Sequence, residues 1–232
     1  MRYLNPSRGQ QLRFYVQKLN KKTVTSSWVA EQGVAALSAR CSRATANKAK
    51  RTLEEAKRRH RAYLKSKRTV PPPALIEAAV WLASLDTVFR CGFVDPKMFA
   101  PPPRALMEDL QSMLAIEPVE HFRGTRCVLN PTFGPGSELV GGADDDLIID
   151  DTLIDLKTTK HLTFGREHFN QLAGYYLLSC IGGVDDCEEG GINYLAIYFA
   201  RYGFFHRIPV ARCIAESKLP ALLRWLKKRA GR

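Results

Sequence analysis

Two strand-like runs, residues 140–149 and 152–158, are separated by Asp150-Asp151, and the pair reads as a β-hairpin with an acidic tip. An even-length loop pairs Ile149 with Thr152, Ile148 with Leu153, Leu147 with Ile154 and Asp146 with Asp155, and Asp144 then faces Lys157. Side chains alternate along strands. Asp144, Asp146, Asp155 and Lys157 therefore share one face, while Leu147, Ile149, Ile154 and Leu156 share the other. Carboxylates directly across a ladder repel unless a cation neutralises them. Oxygen donors without a nearby His or Cys cluster suit Mg²⁺ or Mn²⁺ and argue against zinc. Asp150 and Asp151 read as turn residues. Asp155 and Lys157 do not, because they interrupt an apolar strand where unpaired charge is costly.

The remaining elements follow from periodicity and punctuation. Helices are expected over residues 10–19, 27–37 and 40–68. Pro71-Pro72-Pro73 ends the last of these, since proline lacks the amide donor and forces its predecessor into extended conformations. Residues 74–89 form an amphipathic helix stopped near Gly92, and residues 104–114 another after Pro101-Pro102-Pro103. Residues 125–130 read as a strand, followed by a turn-rich loop with Asn130-Pro131 and Gly134-Pro135-Gly136. A helix over 166–181, strands at 192–201 and 204–210, and a basic helix over 216–229 complete the chain. This order predicts an α/β (α+β) fold with a central mixed sheet flanked by helices. Two regions are expected: a basic helical one at 1–70, and one at 71–232 that holds the mixed α/β core at about 120–215.

The chain of 232 residues carries a formal net charge of +12, which points to a polyanionic partner. Most of that charge lies in residues 40–68, where Lys and Arg, among them Lys57, Arg58, Arg59 and Arg61, oppose only Glu54 and Glu55. A run so nearly one-signed is read as a nucleic-acid contact, and a basic helix of this kind binds either DNA or RNA. The longest apolar stretch, at 74–85, contains Glu77 and falls short of the ~20 residues that span a bilayer. The N-terminus lacks the apolar core of a secretory signal, so a soluble cytoplasmic protein with no membrane partner is expected. The six cysteines contain no CxxC pair, so no zinc ribbon, redox dithiol or iron–sulfur cluster is expected, and the thiols read as reduced and mostly buried.

Asp146 ahead of an apolar strand, Asp155-Leu156-Lys157 on the next strand, and Gln171-Leu172-Ala173-Gly174-Tyr175 on the following helix resemble the PD-(D/E)xK nuclease superfamily. The resemblance is to its RecB-like branch, whose Gln-x-x-x-Tyr motif the helix matches, and it covers residues 125–210. It implies a restriction-endonuclease-like core and Mg²⁺-dependent hydrolysis of phosphodiester bonds in DNA. By the same resemblance Asp146 and Asp155 are metal ligands aided by the Leu156 carbonyl, and Lys157 orients the attacking water. Gln171 supports the lysine and Tyr175 lies near the DNA backbone. Asp144 is the second choice for the first ligand, and Asp145 is expected to point away. Glu77, Glu108, Glu117, Glu120 and His121 are candidates for an upstream ligand. Lys160, His161 and Arg166 are candidates for phosphate contact or solvated surface. The alternatives are a catalytically inactive DNA-binding protein with the nuclease fold, or a subunit of a repair or recombination assembly partnered by a helicase or recombination protein.

Overall fold

The computed structural model describes residues 23–25, 29–95, 97–116, 119–184 and 191–231. The helix expected at 10–19 lies outside them. The chain divides into two compact units between residues 117 and 118, and residues 22–26 belong with the second.

The first unit contains α1 (Val29–Arg40), α2 (Arg43–Lys65), α3 (Pro73–Cys91) and α4 (Arg104–Ala115). The Ser42 hydroxyl caps α2 by accepting from the Thr45 amide. Ala46, Ala49, Leu53, Ala56 and Tyr63 form a buried stripe along α2 at helical spacing. Pro73 opens α3 at a position whose amide would go unused, and Gly92 closes it with φ 67°. α1 meets α3 at Gly33, where a Cβ would overlap the Leu85 carbonyl oxygen. Leu37, Leu53, Leu75, Leu85 and Val88 pack together in this core. The proline triplet therefore ends a helix without ending a unit. α3 packs on both α1 and α2, so the expected division at 70/71 moves to about 117.

The second unit is α+β. Its six-stranded mixed sheet runs in the order β1 (Thr23–Thr25), β2 (Cys127–Leu129), β3 (Leu147–Ile149), β4 (Thr152–Lys157), β5 (Tyr194–Phe199) and β6 (Phe204–Pro209). β1–β2 and β4–β5 are parallel, and the other pairs antiparallel. The helices are α5 (Pro135–Leu139), α6 (Arg166–Gly182), the short α7 (Val210–Cys213) and α8 (Leu219–Ala230). α5 occupies part of the expected turn-rich loop. The first hairpin strand shortens to three residues, and Gly141 and Gly142 turn the chain well ahead of it with φ 79° and 107°. Its register is the one expected, Ile149 with Thr152 through Leu147 with Ile154.

One face of the sheet carries Val128, Ile148, Leu153, Ile197 and Phe199, which pack with Leu172 and Leu178 of α6. On the opposite face Tyr198 meets Phe122 edge-on at 5.0 Å. α6 is held against the segment leading into and through α5 by two glycines. A Cβ on Gly182 would overlap the Phe133 carbonyl oxygen, and one on Gly136 the Leu178 carbonyl oxygen. Asp150, at φ 52°, ties the hairpin tip to the chain before β2, its Oδ1 accepting from the Thr125 amide, the Thr125 hydroxyl and the Arg126 amide at 2.8–2.9 Å. Of the four described free cysteines, Cys127 is buried, Cys41 and Cys213 are half-buried, and Cys180 is exposed, against the expectation of mostly buried thiols. Among the described residues no helix is long and apolar enough to cross a membrane.

Candidate functional site

β3, β4 and α6 converge on a buried cluster of charge. Asp145, Asp146 and Asp155 each present a carboxylate oxygen within 4.8 Å of the others, and all three are buried. Asp146 is held by the ladder itself: its Oδ2 accepts the Leu156 amide at 2.8 Å, in the place a strand carbonyl would otherwise take. Lys157 follows Asp155 by two residues on the same face, and its Nζ lies 2.5 Å from Asp155 Oδ2. The ammonium also donates to Gln171 Oε1 at 2.9 Å, and Gln171 Nε2 donates to the Tyr175 hydroxyl at 3.0 Å. The four-residue spacing puts Gln171 and Tyr175 on one helical face, so α6 presents a connected amide–phenol pair to the lysine.

The electrostatics of this cluster are unbalanced. Three carboxyl groups share one ammonium in a site largely closed to water, so their full ionisation would leave two negative charges uncompensated. Both oxygens of Asp145, which is only 2% exposed, lack a hydrogen-bond partner. Burial and the neighbouring Asp155 and Asp146 push its carboxyl well above the usual range. Burial also raises Asp155, to about 7, against the opposing pull of Lys157 and with Asp146 reinforcing the rise. Burial lifts the Tyr175 phenol as well. Uncompensated buried carboxylates are strongly disfavoured unless a cation joins them, and an all-oxygen donor set suits a hard divalent ion. The residues present thus fit Mg²⁺ or Mn²⁺.

Asp145 replaces Asp144 in this cluster. Asp144 makes an isolated bridge with Thr132 and is half-buried outside the carboxylate group. Strict alternation fails because the facing residues are Asn130, at φ 52°, and Pro131, which has no amide to donate. The backbone contacts that remain, Asn130 amide to Asp146 carbonyl and Asp145 amide to Pro131 carbonyl, do not build a regular strand there. An Asn-Pro pair facing an acidic run was the available sequence signal for this break.

Among the upstream candidates, Glu77 pairs with Arg59 at 2.7 Å and Glu108 with Arg104 at 2.7 Å. His121 stacks on Phe205 at 4.2 Å beside Glu120, and Glu117 lies outside the described residues. None of the described four belongs to the carboxylate group. Lys160, His161 and Arg166 are exposed on the segment between β4 and α6 and at the start of α6. His168, not singled out from the sequence, accepts the Gly165 amide on Nδ1, and burial followed by the Lys157 charge depresses its pKa.

On α2, Lys57 lies 3.5 Å from Glu54, Arg58 bonds Glu55 at 2.8 Å, and Arg61 is exposed. Arg59 differs from these. It bonds Glu55, Glu77 and the Ala74 carbonyl, each at 2.7 Å, and its guanidinium lies 4.8 Å from the Trp81 ring, so it fastens α2 to α3. No protein-family model matches the chain, and no curated protein or solved structure does either.

Proposed function

We propose that the protein is a divalent-metal-dependent nuclease that hydrolyses phosphodiester bonds in DNA. In this reading it belongs to the RecB-like branch of the PD-(D/E)xK superfamily, with a restriction-endonuclease-like core. The observation that carries the proposal is the buried Asp145–Asp146–Asp155 group with Lys157 against it and both Asp145 oxygens unpartnered.

Asp145, Asp146 and Asp155 would hold Mg²⁺ or Mn²⁺, and the Leu156 amide keeps Asp146 turned into the site. When bound, such an ion supplies acidified water and offsets charge developing on the phosphoryl oxygens. Asp155 and Gln171 engage two of the three Lys157 ammonium protons, and the third is left to hydrogen-bond a phosphoryl oxygen or to orient the attacking water. Such a preorganised donor stabilises the transition state most where water is excluded. Gln171 fixes the direction of that ammonium by accepting one of its protons, and Tyr175 fixes Gln171. Exposed Lys160 and Arg166 supply positive charge near the flanking phosphates, and the basic helix α2 supplies affinity without sequence preference.

The test is incubation of the purified protein, and of a Lys157→Ala variant, with labelled linear and closed circular DNA in Mg²⁺, Mn²⁺ or EDTA. Cleavage by the parent alone, lost in EDTA, is the expected result. Salt-sensitive DNA binding with no cleavage in either metal would overturn the proposal in favour of a non-catalytic DNA-binding protein.

A further inference from the structure

Two rungs of the sheet run from the carboxylate cluster towards β6, the last strand of the order. Asp155 pairs with Ile197 and Ile197 with His206, while Lys157 pairs with Phe199 and Phe199 with Phe204. Directly paired residues share a face, so Phe204 and His206 stand on the same side as Lys157 and Asp155. They lie two strand spacings away, about 10 Å. α6 covers this row as far as His168, whose ring meets Phe199 edge-on at 5.9 Å. Beyond that point the rings are open to solvent. Phe164 is 38% and Phe204 45% exposed. Phe204 lies nearly parallel to His206, at 9° and 6.3 Å, and Phe164 is 6.0 Å from His206 and 6.3 Å from His168. Lys160, His161 and Arg166 are exposed on the same connecting segment and the first turn of α6.

We infer that Phe164, Phe204 and His206 form a stacking platform for unpaired nucleobases, so that the preferred substrate is single-stranded beside the phosphate to be cut. This inference rests on the nuclease reading of the Lys157 site and specifies its substrate. A base offers a π-face whatever its identity, and stacking on an aromatic side chain strengthens binding by about tenfold or more per base without reading sequence. In a duplex those faces are occupied by neighbouring bases. The distance of about 10 Å from Lys157 corresponds to about three stacked-base rises of 3.4 Å, so the rings are within reach of bases adjoining the scissile phosphate. Flanking cations complement a phosphate backbone. They would repel a second copy of a chain with net charge +12, the other occupant an exposed edge strand invites.

The experiment measures binding in EDTA of a short oligothymidylate and of an abasic strand with the same number of phosphates. The parent is expected to favour the oligothymidylate by about tenfold or more. A Phe164→Leu/Phe204→Leu double variant, which keeps apolar bulk but removes both phenyl faces, is expected to lose that preference while its affinity for the abasic strand stays unchanged. Equal binding of the two strands by the parent, or a preference that survives in the double variant, overturns the inference. So does a parent dimer, seen by sedimentation, that the double variant breaks. Base preference without cleavage in Mg²⁺ would overturn the nuclease reading alone, and cleavage without base preference would overturn the platform alone.

Discussion

Asp145 brings a carboxylate into a dry site with no donor to meet it, so the metal-free protein bears the cost of its charge or of its protonation. Asp145→Asn is expected to raise the metal-free melting temperature by several degrees, equivalent to about 1–3 kcal/mol, and to abolish the further rise on adding Mg²⁺. Differential scanning fluorimetry with and without the ion reads both, and a metal-free midpoint that falls would contradict the account. Lys157→Ala acts in the opposite sense. It leaves the carboxylates without their one ammonium, and a loss of about 3–5 kcal/mol is expected by chemical denaturation. Regularity decides which of these residues the sequence reveals. Asp155, Lys157, Gln171 and Tyr175 sit on an uninterrupted strand and helix, where spacing alone determines the face. Asp145 sits opposite Asn130-Pro131, where alternation breaks, and reading the strand through that break favours Asp144 instead.

At the scale of elements, α6 places Gln171 only if it lies close against the segment around α5. Gly182→Ala puts a methyl into the Phe133 carbonyl, and overpacking of that kind costs about 1–3 kcal/mol or more. Loss of urea stability with an unchanged α-helical circular-dichroism signal is expected, since the helix persists while its docking is strained. α2 yields a pH prediction. Burial depresses His60 to about 4, so the folded state favours the neutral ring. Its contribution is complete above the unfolded value of about 6.5 and is lost as pH falls from there towards about 4. The unfolding midpoint of the helical unit is expected to drop across that window, and His60→Gln to flatten the drop. Helices and strands of ordinary length are legible because their apolar periods are long enough to count. α5 is not, for its sequence, Pro-Gly-Ser-Glu-Leu, carries one apolar side chain and is ordered by contacts distant in the chain. β1 has the same difficulty, being three residues paired with a strand about a hundred positions later.

For the whole molecule the dominant quantity is charge. With net charge +12, affinity for DNA is expected to fall linearly with salt on logarithmic axes. The cations of α2 divide into two kinds. Replacing exposed Arg61 by alanine is expected to reduce the salt slope by about 1 with no change in stability. Arg59→Ala should leave the slope unchanged and lower the stability of the helical unit, because Arg59 joins Glu55, Glu77 and Trp81 rather than facing solvent. Titrations at several salt concentrations beside thermal melts separate the two. Composition reveals the excess of cations but not their division, because a count of charges does not say which of them lie against a partner helix. The same blindness displaced the domain boundary, since three prolines announce the end of a helix but say nothing of what packs beyond it.

The turn of Asp150 and Asp151 also orders events in time. It joins β3 to β4 at a sequence separation so small that the two strands can meet on the hairpin timescale of about 1–10 μs, well before contacts between distant segments. On sequence separation alone, Asp146 and Asp155 are expected to come together early in folding, in a chain still largely open. The ammonium that offsets them travels on the same strand and needs no long-range encounter to arrive. In that order α6 would dock onto charges already partly balanced, and what Gln171 contributes is an orientation for Lys157 rather than its presence.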